Sequence, residues 1–228
     1  YMLFVKKHAY ISFNFKDFTP SSKILWDIVK VGMPASLSMV IMAMGQGIFN
    51  KILINYSPDA VAAYQVAGRI DMLIFLPIFA IAGGMTTLVG MFYGAKKYDL
   101  IKPMVQYTML WSVLIGSFFS ILLFLFIEDI TPLFLTASSI SEVEMSDKAI
   151  KTTINYFYVM IFAYPFIGIT MVSTRAMQAI GKAWPMLATA LFRVIVLQCS
   201  LSYYFIKILK KDINWAWYAI GGACILSA

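Results

Sequence analysis

Long stretches without charged residues recur along the chain and predict helices that cross a membrane. Four of these runs carry no charge, at residues 31–50, 72–95, 103–127 and 152–174, and a fifth, at 183–206, is interrupted only by Arg193. A helix needs about 20 residues to cross the hydrocarbon core of a bilayer, at a rise of about 1.5 Å per residue. A further apolar stretch starts at Ile213 and is still apolar where the sequence ends. The pattern therefore predicts six spans, of which the last is truncated.

The segments between the apolar runs predict how the chain is organised. Most connectors are short, so consecutive helices are expected to be antiparallel neighbours. Residues 1–5 are apolar and precede a polar, basic stretch that extends to Lys23. We interpret residues 1–23 as the end of a preceding helix and a cytoplasmic linker, and residues 24–228 as one helical domain. We expect the sequence to be a fragment of a longer protein.

Composition supports an integral, multi-pass membrane protein of the all-α class. Hydrophobic residues make up 61% of the chain, charged residues make up 13%, and the mean hydropathy is +0.80. A soluble domain carries about 25% charged residues. This composition excludes a soluble enzyme, a disordered chain and a small disulfide scaffold, and we expect membrane lipids to be the immediate surroundings.

The positive charge favours a membrane over a nucleic acid as the partner. The formal net charge is +7, and the lysines flank the apolar runs. Lysines that flank spanning helices are enriched on the cytoplasmic side of a membrane, near its anionic lipids. Nine lysines lie on the side where the first span begins and six on the other, so we expect the first side to be cytoplasmic. We therefore expect the protein to lie in the plasma membrane and not to bind nucleic acid.

Three ionisable residues are expected deep inside the predicted spans. Arg69 and Asp71 lie 10 and 12 residues after Asp59, and Arg193 lies 11 residues after Lys182. Ionisable groups at such depth are costly and commonly functional. We take all three as candidates for transport or ion coupling. Asp71 is either a proton or cation site or one half of a structural pair, for which Arg193 is the expected partner.

Neutral polar residues and one proline complete the candidate set. Gln46 and Asn50 are four residues apart in the first predicted span, and Gln65 and Arg69 repeat this spacing in the second. Residues four apart share a helix face, which then either joins helices or lines a water-filled path. Pro34 lies in the first span, where it removes a backbone hydrogen bond and can bend the helix. We expect these residues to line a cavity.

No motif for catalysis, metal binding or nucleotide binding occurs in the sequence. HExxH, GxSxG and Walker-type patterns are absent, and the only histidine, His8, lies in a polar loop. We expect neither an enzyme nor a metal site, and no cofactor apart from a coupling ion. A transporter built this way must be driven by an ion gradient.

Several segments, taken in order, resemble the multidrug and toxic compound extrusion (MATE) family. The resemblance spans residues 24–205, and no single motif is diagnostic. It is carried by GMPASL at 32–37, Asn50 with 52–54, DAVAAYQVAGRI at 59–70, TTLVGMFYGA at 86–95, and QAIGK at 178–182 with Pro185 and Arg193 after it.

The resemblance implies a twelve-helix transporter with two six-helix lobes, of which this chain is the second. It also implies export of amphipathic or cationic small molecules in exchange for protons or sodium, by alternating access around a central cavity. The missing N-terminal lobe of the same chain is then an obligatory partner, and residues 6–23 are the linker between the lobes.

One sodium-binding pattern of the family is not matched. A branch of the family carries an acidic residue eight positions after the proline of helix seven, where this sequence has Met42, and an aspartate in helix ten, where residues 152–174 hold no carboxylate. The resemblance to the other prokaryotic branch implies that coupling can instead rest on an aspartate in the first helix of the missing lobe, while Asp71 remains a candidate on burial grounds alone. A lipid-linked oligosaccharide flippase of the same superfamily remains an alternative, because such flippases line their cavity with arginines and lysines. An intramembrane enzyme subunit is the third interpretation.

Overall fold

A computed structural model describes residues 21–137, 147–209 and 212–228, and the elements in those ranges are helical. Most of the linker expected at residues 1–23 lies outside the described residues. The helices are α1 (Ser22–Ile54), α2 (Pro58–Gly94), a 3₁₀ turn (Tyr98–Leu100), α3 (Ile101–Ala137), α4 (Asp147–Ala179), α5 (Trp184–Ala190), a first π-helical segment (Leu191–Cys199), α6 (Ser200–Tyr203), a second π-helical segment (Tyr204–Ile208) and α7 (Asn214–Leu226).

Five helices are long and apolar enough to cross a membrane, which confirms the all-α membrane fold. They are α1, α2, α3, α4 and the continuous helix of the fifth span, Trp184–Ile208. Helix α7 corresponds to the sixth predicted span and is 13 residues long. The helices extend beyond the uncharged runs; α2, for example, has 37 residues where the uncharged run has 24.

Local sequence explains where several helices begin and end. Ser57 caps α2 by accepting a hydrogen bond from the Asp59 backbone N–H at 3.1 Å, and Pro58 occupies the first helical position, where its missing N–H costs nothing. Between α4 and α5 the chain turns at Gly181, whose φ of 81° is accessible without strain only to glycine.

The core lies between α2, α3, α4, α7 and the end of α1. Phe49, Phe157, Tyr164 and Trp217 are fully buried in one cluster there. Helices α3 and α4 approach closely at Gly116, where an added Cβ would lie 3.2 Å from the backbone of residues 164 and 165. Small residues permit such approach between spanning helices, where packing rather than hydrophobicity drives association.

Two irregularities distinguish the helices from straight α-helices. Helix α3 departs from helical dihedral angles at Phe126 (φ −121°, ψ 15°), with no proline at that point. The fifth span has two π-helical segments, which widen its turns. Pro34, Pro77 and Pro165 all lie inside helices that continue past them.

Candidate functional site

A buried carboxylate held by two phenols forms the centre of the candidate site. Asp71 in α2 is 8% exposed. The Tyr156 hydroxyl donates a hydrogen bond to its Oδ2 at 2.6 Å, and the Tyr164 hydroxyl donates to its Oδ1 at 2.5 Å. Both carboxylate oxygens therefore have a donor, which is what a buried charge needs to remain in a protein interior.

Helix geometry explains why α4 supplies both donors. Tyr156 and Tyr164 are eight residues apart, a spacing that returns a helix to nearly the same face. That face packs against α2, and Asp71 lies between the two hydroxyls. Asp71 is 13 residues into α2, about 20 Å along the helix axis at about 1.5 Å per residue. The carboxylate is therefore well inside the spanning part of the helix.

Aromatic rings cover the carboxylate on the side nearest the starts of α2, α4 and α7. Trp217 lies edge-on to Tyr156, with ring centroids 5.3 Å apart, and stacks on Tyr64 at 6.2 Å. Phe49 from α1 contacts Tyr64 edge-on at 4.9 Å. Aromatic pairs in these arrangements are favourable beyond the area they bury. The rings exclude water on this side and fix the ring of Tyr156.

The arrangement can store one proton. An ionised carboxylate only accepts hydrogen bonds, and here both of its oxygens do so. A protonated carboxyl becomes a donor as well, so one of the two phenols would have to turn its own hydrogen elsewhere. Protonation of Asp71 therefore changes the hydrogen bonds that connect α2 to α4.

The expected pairing of Asp71 with Arg193 is wrong. Within residues 21–137, 147–209 and 212–228, the side chains that donate hydrogen bonds to the Asp71 carboxylate are tyrosines rather than an arginine. Arg193 is half-buried in the first π-helical segment. Arg69 is exposed on another face of α2, since residues two apart on a helix point to different faces.

The neutral candidates fall into two groups. Gln46 and Gln65 are exposed, so they lie on the outside of this lobe. Asn50 is half-buried and Pro34 is buried. The Pro34 carbonyl accepts a hydrogen bond from the Ser38 hydroxyl at 2.7 Å, whereas the Asn50 Oδ1 is buried without a hydrogen-bond partner. The structure does not gather these four residues with Asp71 into one site.

Sequence reasoning missed the residues that hold the carboxylate. Tyr156, Tyr164, Tyr64 and Trp217 were not among the candidates. A signal was present, because a buried carboxylate requires donors and α4 carries hydroxyl groups eight residues apart. Neutral phenols therefore take the place of the arginine that was expected.

Comparison with known proteins confirms the resemblance seen in the sequence. The profile of the MatE family matches residues 34–204. The probable multidrug resistance protein NorM of Thermotoga maritima is 22% identical over 191 residues, covering 84% of this chain and 39% of that protein. The probable multidrug resistance protein YoeA of Bacillus subtilis is 19% identical over 201 residues, covering 88% of this chain and 41% of that protein.

Solved structures give the same result for the fold. A transporter of the MOP superfamily from Pyrococcus furiosus, described as having a binding pocket of reverse polarity, superposes with a TM-score of 0.89 at 27% identity. An outward-facing multidrug resistance MATE transporter superposes with a TM-score of 0.89 at 25% identity. Each comparison covers 100% of this chain and 49% of the solved chain. The chain thus spans about half the length of the proteins it matches.

Proposed function

This chain belongs to the MatE family, and from that premise we propose that it forms one lobe of a cation-coupled antiporter that exports amphipathic or cationic small molecules. The fold is that of half a MATE transporter, an integral multi-pass membrane protein. The relatives named as multidrug resistance proteins support a drug as cargo over a lipid-linked oligosaccharide. The proposal places the transporter in the plasma membrane.

The Asp71 site carries the coupling part of the proposal. Among the described residues, Asp71 is the carboxylate that is buried, and its partners are two neutral phenols. A single carboxylate with movable hydroxyl donors suits a proton, since a sodium ion would need additional oxygen ligands around it. We therefore assign the coupling ion as a proton and Asp71 as its carrier.

Alternating access follows from the hydrogen bonds that rearrange when Asp71 is protonated. The ionised carboxylate connects α2 to α4 through two hydrogen bonds donated by Tyr156 and Tyr164. Protonation weakens that connection, because hydrogen bonds to a charged group are about twice as strong as neutral ones. The two protonation states thus favour different packings of α2 against α4, and an ion gradient biases the equilibrium between them.

The exposed polar residues support a proposal for which side of the lobe lines the cavity. Arg69, Gln65 and Gln46 are exposed on spanning helices, where contact with lipid is costly for an arginine. We assign this face to the water-filled cavity between this lobe and the other half of the transporter. Arg193 is only half-buried and is not among the hydrogen-bond donors to Asp71, which gives it a supporting rather than a coupling role.

The test uses the full-length protein in liposomes. A fluorescent organic cation is loaded, and a proton gradient and a sodium gradient are imposed separately. We expect the proton gradient to move the dye, Asp71→Asn to abolish that movement, and Asp71→Glu to retain part of it. The matched control is Asp99→Asn, which removes an exposed carboxylate near the start of α3 and should leave transport unchanged.

Other outcomes would contradict specific parts of the proposal. Movement driven by sodium alone would refute the proton assignment. Wild-type rates for Asp71→Asn would refute the role of Asp71. A wild-type protein that moves no dye under either gradient would refute organic-cation export, and lipid-linked sugars would then be tested as cargo.

A further inference from the structure

A groove separates the end of α1 from the end of the fifth span. It encloses about 920 Å³, within the range of about 300–1,000 Å³ that ligand sites occupy. Its apolar lining comes mainly from isoleucines of both helices, and its polar lining from lysine, asparagine, serine and tyrosine side chains. The lining residues used below are Ile48, Lys51, Ile195, Tyr203 and Lys207.

Two lysines stand at the same level of this groove. Lys51 is in the last turn of α1, and Lys207 is in the last turn of the second π-helical segment. Spans one and five of an antiparallel series run in the same direction, so both lysines lie near the same membrane surface. No acidic residue lines the groove in the part of the chain that the structure describes.

The shape of one wall comes from the two π-helical segments. Ile195 belongs to the first, and Lys207 belongs to the second. The Leu209 backbone N–H bonds to the Tyr204 carbonyl five residues earlier, at 3.1 Å, as the wider turn requires. Lys207 Nζ lies 5.1 Å from the centroid of the Tyr203 ring, which orients the ammonium group. Such π-helical interruptions occur frequently at functional sites.

We propose that this groove binds an anionic phospholipid. The phosphate lies between Lys51 and Lys207, at the level where spanning helices end and headgroups begin. An acyl chain lies against Ile48 and Ile195, which line the groove and precede Lys51 and Lys207 along their helices, on the side toward the membrane interior. Two cations without a carboxylate select an anionic headgroup over a zwitterionic one.

The expected effect follows from the charge of the two lysines. Each lysine that faces an anionic headgroup is expected to contribute about a five-fold gain in binding. Removing both in Lys51→Gln/Lys207→Gln therefore weakens binding of an anionic lipid about 25-fold, since the two factors multiply. Binding of phosphatidylcholine, which has no net charge, should change little.

The experiment measures lipid binding to the full-length transporter by native mass spectrometry. The protein is depleted of lipid in detergent and titrated with phosphatidylglycerol or with phosphatidylcholine. The matched control is Lys151→Gln, which removes an exposed lysine from the start of α4 and should leave both lipids bound as in the wild type. A second variant, Ile195→Trp, fills the groove and should displace phosphatidylglycerol without removing a charge.

Specific results would overturn the proposal. Equal affinity for the two lipids would show that charge is not recognised. An equal loss of phosphatidylglycerol in Lys151→Gln would assign the binding to general surface attraction. Full phosphatidylglycerol binding by Ile195→Trp would place the lipid site outside the groove. A wild-type protein that binds neither lipid would show that the groove is not a lipid site, for example because the other lobe fills it.

Discussion

The Tyr164 hydroxyl offers a direct test of how Asp71 is held. The change Tyr164→Phe removes one oxygen, the donor that lies 2.5 Å from Asp71 Oδ1, and keeps the ring that contacts Phe75 at 5.9 Å. A hydrogen bond to a charged group contributes about 1.5–3 kcal/mol to stability. We expect a cost near the upper end of that range, because Oδ1 has no other donor within the described residues.

A double-mutant cycle isolates the interaction between the hydroxyl and the carboxylate. In the Asp71→Asn background the acceptor is neutral, and the same loss should fall to about 0.5–1.5 kcal/mol. The coupling free energy between the two positions is then about 1–2 kcal/mol, within the range found for residues in direct contact.

The assay is equilibrium unfolding of the full-length protein in detergent micelles. Tyr158→Phe serves as the matched control, since Tyr158 lies two residues from Tyr156 on α4 and its side chain is exposed. We expect that control to change the free energy of unfolding by less than about 0.5 kcal/mol. If Tyr164→Phe costs no more than Tyr158→Phe, or costs the same with and without Asp71, the hydroxyl does not hold the carboxylate and the site is wrongly described.

Two further predictions concern helix packing and the loops. Gly221→Ala should destabilise the protein by about 1–3 kcal/mol, because the added Cβ would lie 2.7 Å from Val159 Cγ1, whereas Gly222→Ala meets nothing within 4 Å and should be nearly neutral in the same unfolding assay. Tyr56 donates a hydrogen bond to Asp212 at 2.8 Å, and this bond raises the pKa of Tyr56 above its ordinary value of 10.0. The stabilisation by this hydrogen bond is therefore present at neutral pH and is lost as the pH rises through the raised pKa of Tyr56. Thermal unfolding should show this loss in the wild type and not in Tyr56→Phe. Identical pH profiles for the two proteins would contradict the assignment.

Five of the six expected spans could be predicted correctly because a spanning helix depends on composition alone, whereas the stretch from Ile213 forms a helix of only 13 residues. An uncharged run of 20 or more residues has few alternatives to a spanning helix, and the structure places a long helix over each of the five complete runs. The depth of Asp71 followed from counting residues along α2. The two-residue offset between Arg69 and Asp71 indicates different faces of the helix, and the structure shows Arg69 exposed and Asp71 buried.

The partners of Asp71 could not be predicted because they depend on how each helix is rotated. Residue counting places Arg193 at a similar depth but does not say which way its side chain points. Helix α4 turns Tyr156 and Tyr164 toward α2, and on another face it packs closely on α3 at Gly116. The π-helical segments could not be predicted from the sequence either, since hydrogen bonds to the fifth preceding residue are decided by packing rather than by local propensity.

The central claim is that Asp71 carries the coupled proton, and proton counter-flow tests it most directly. Liposomes containing the full-length protein and a pH-sensitive dye are given a gradient of an organic cation, and the resulting pH change is followed. The account predicts a cation-dependent pH change in the wild type, none in Asp71→Asn, and an unchanged signal in Asp99→Asn. A wild-type pH change in a folded Asp71→Asn protein would contradict it.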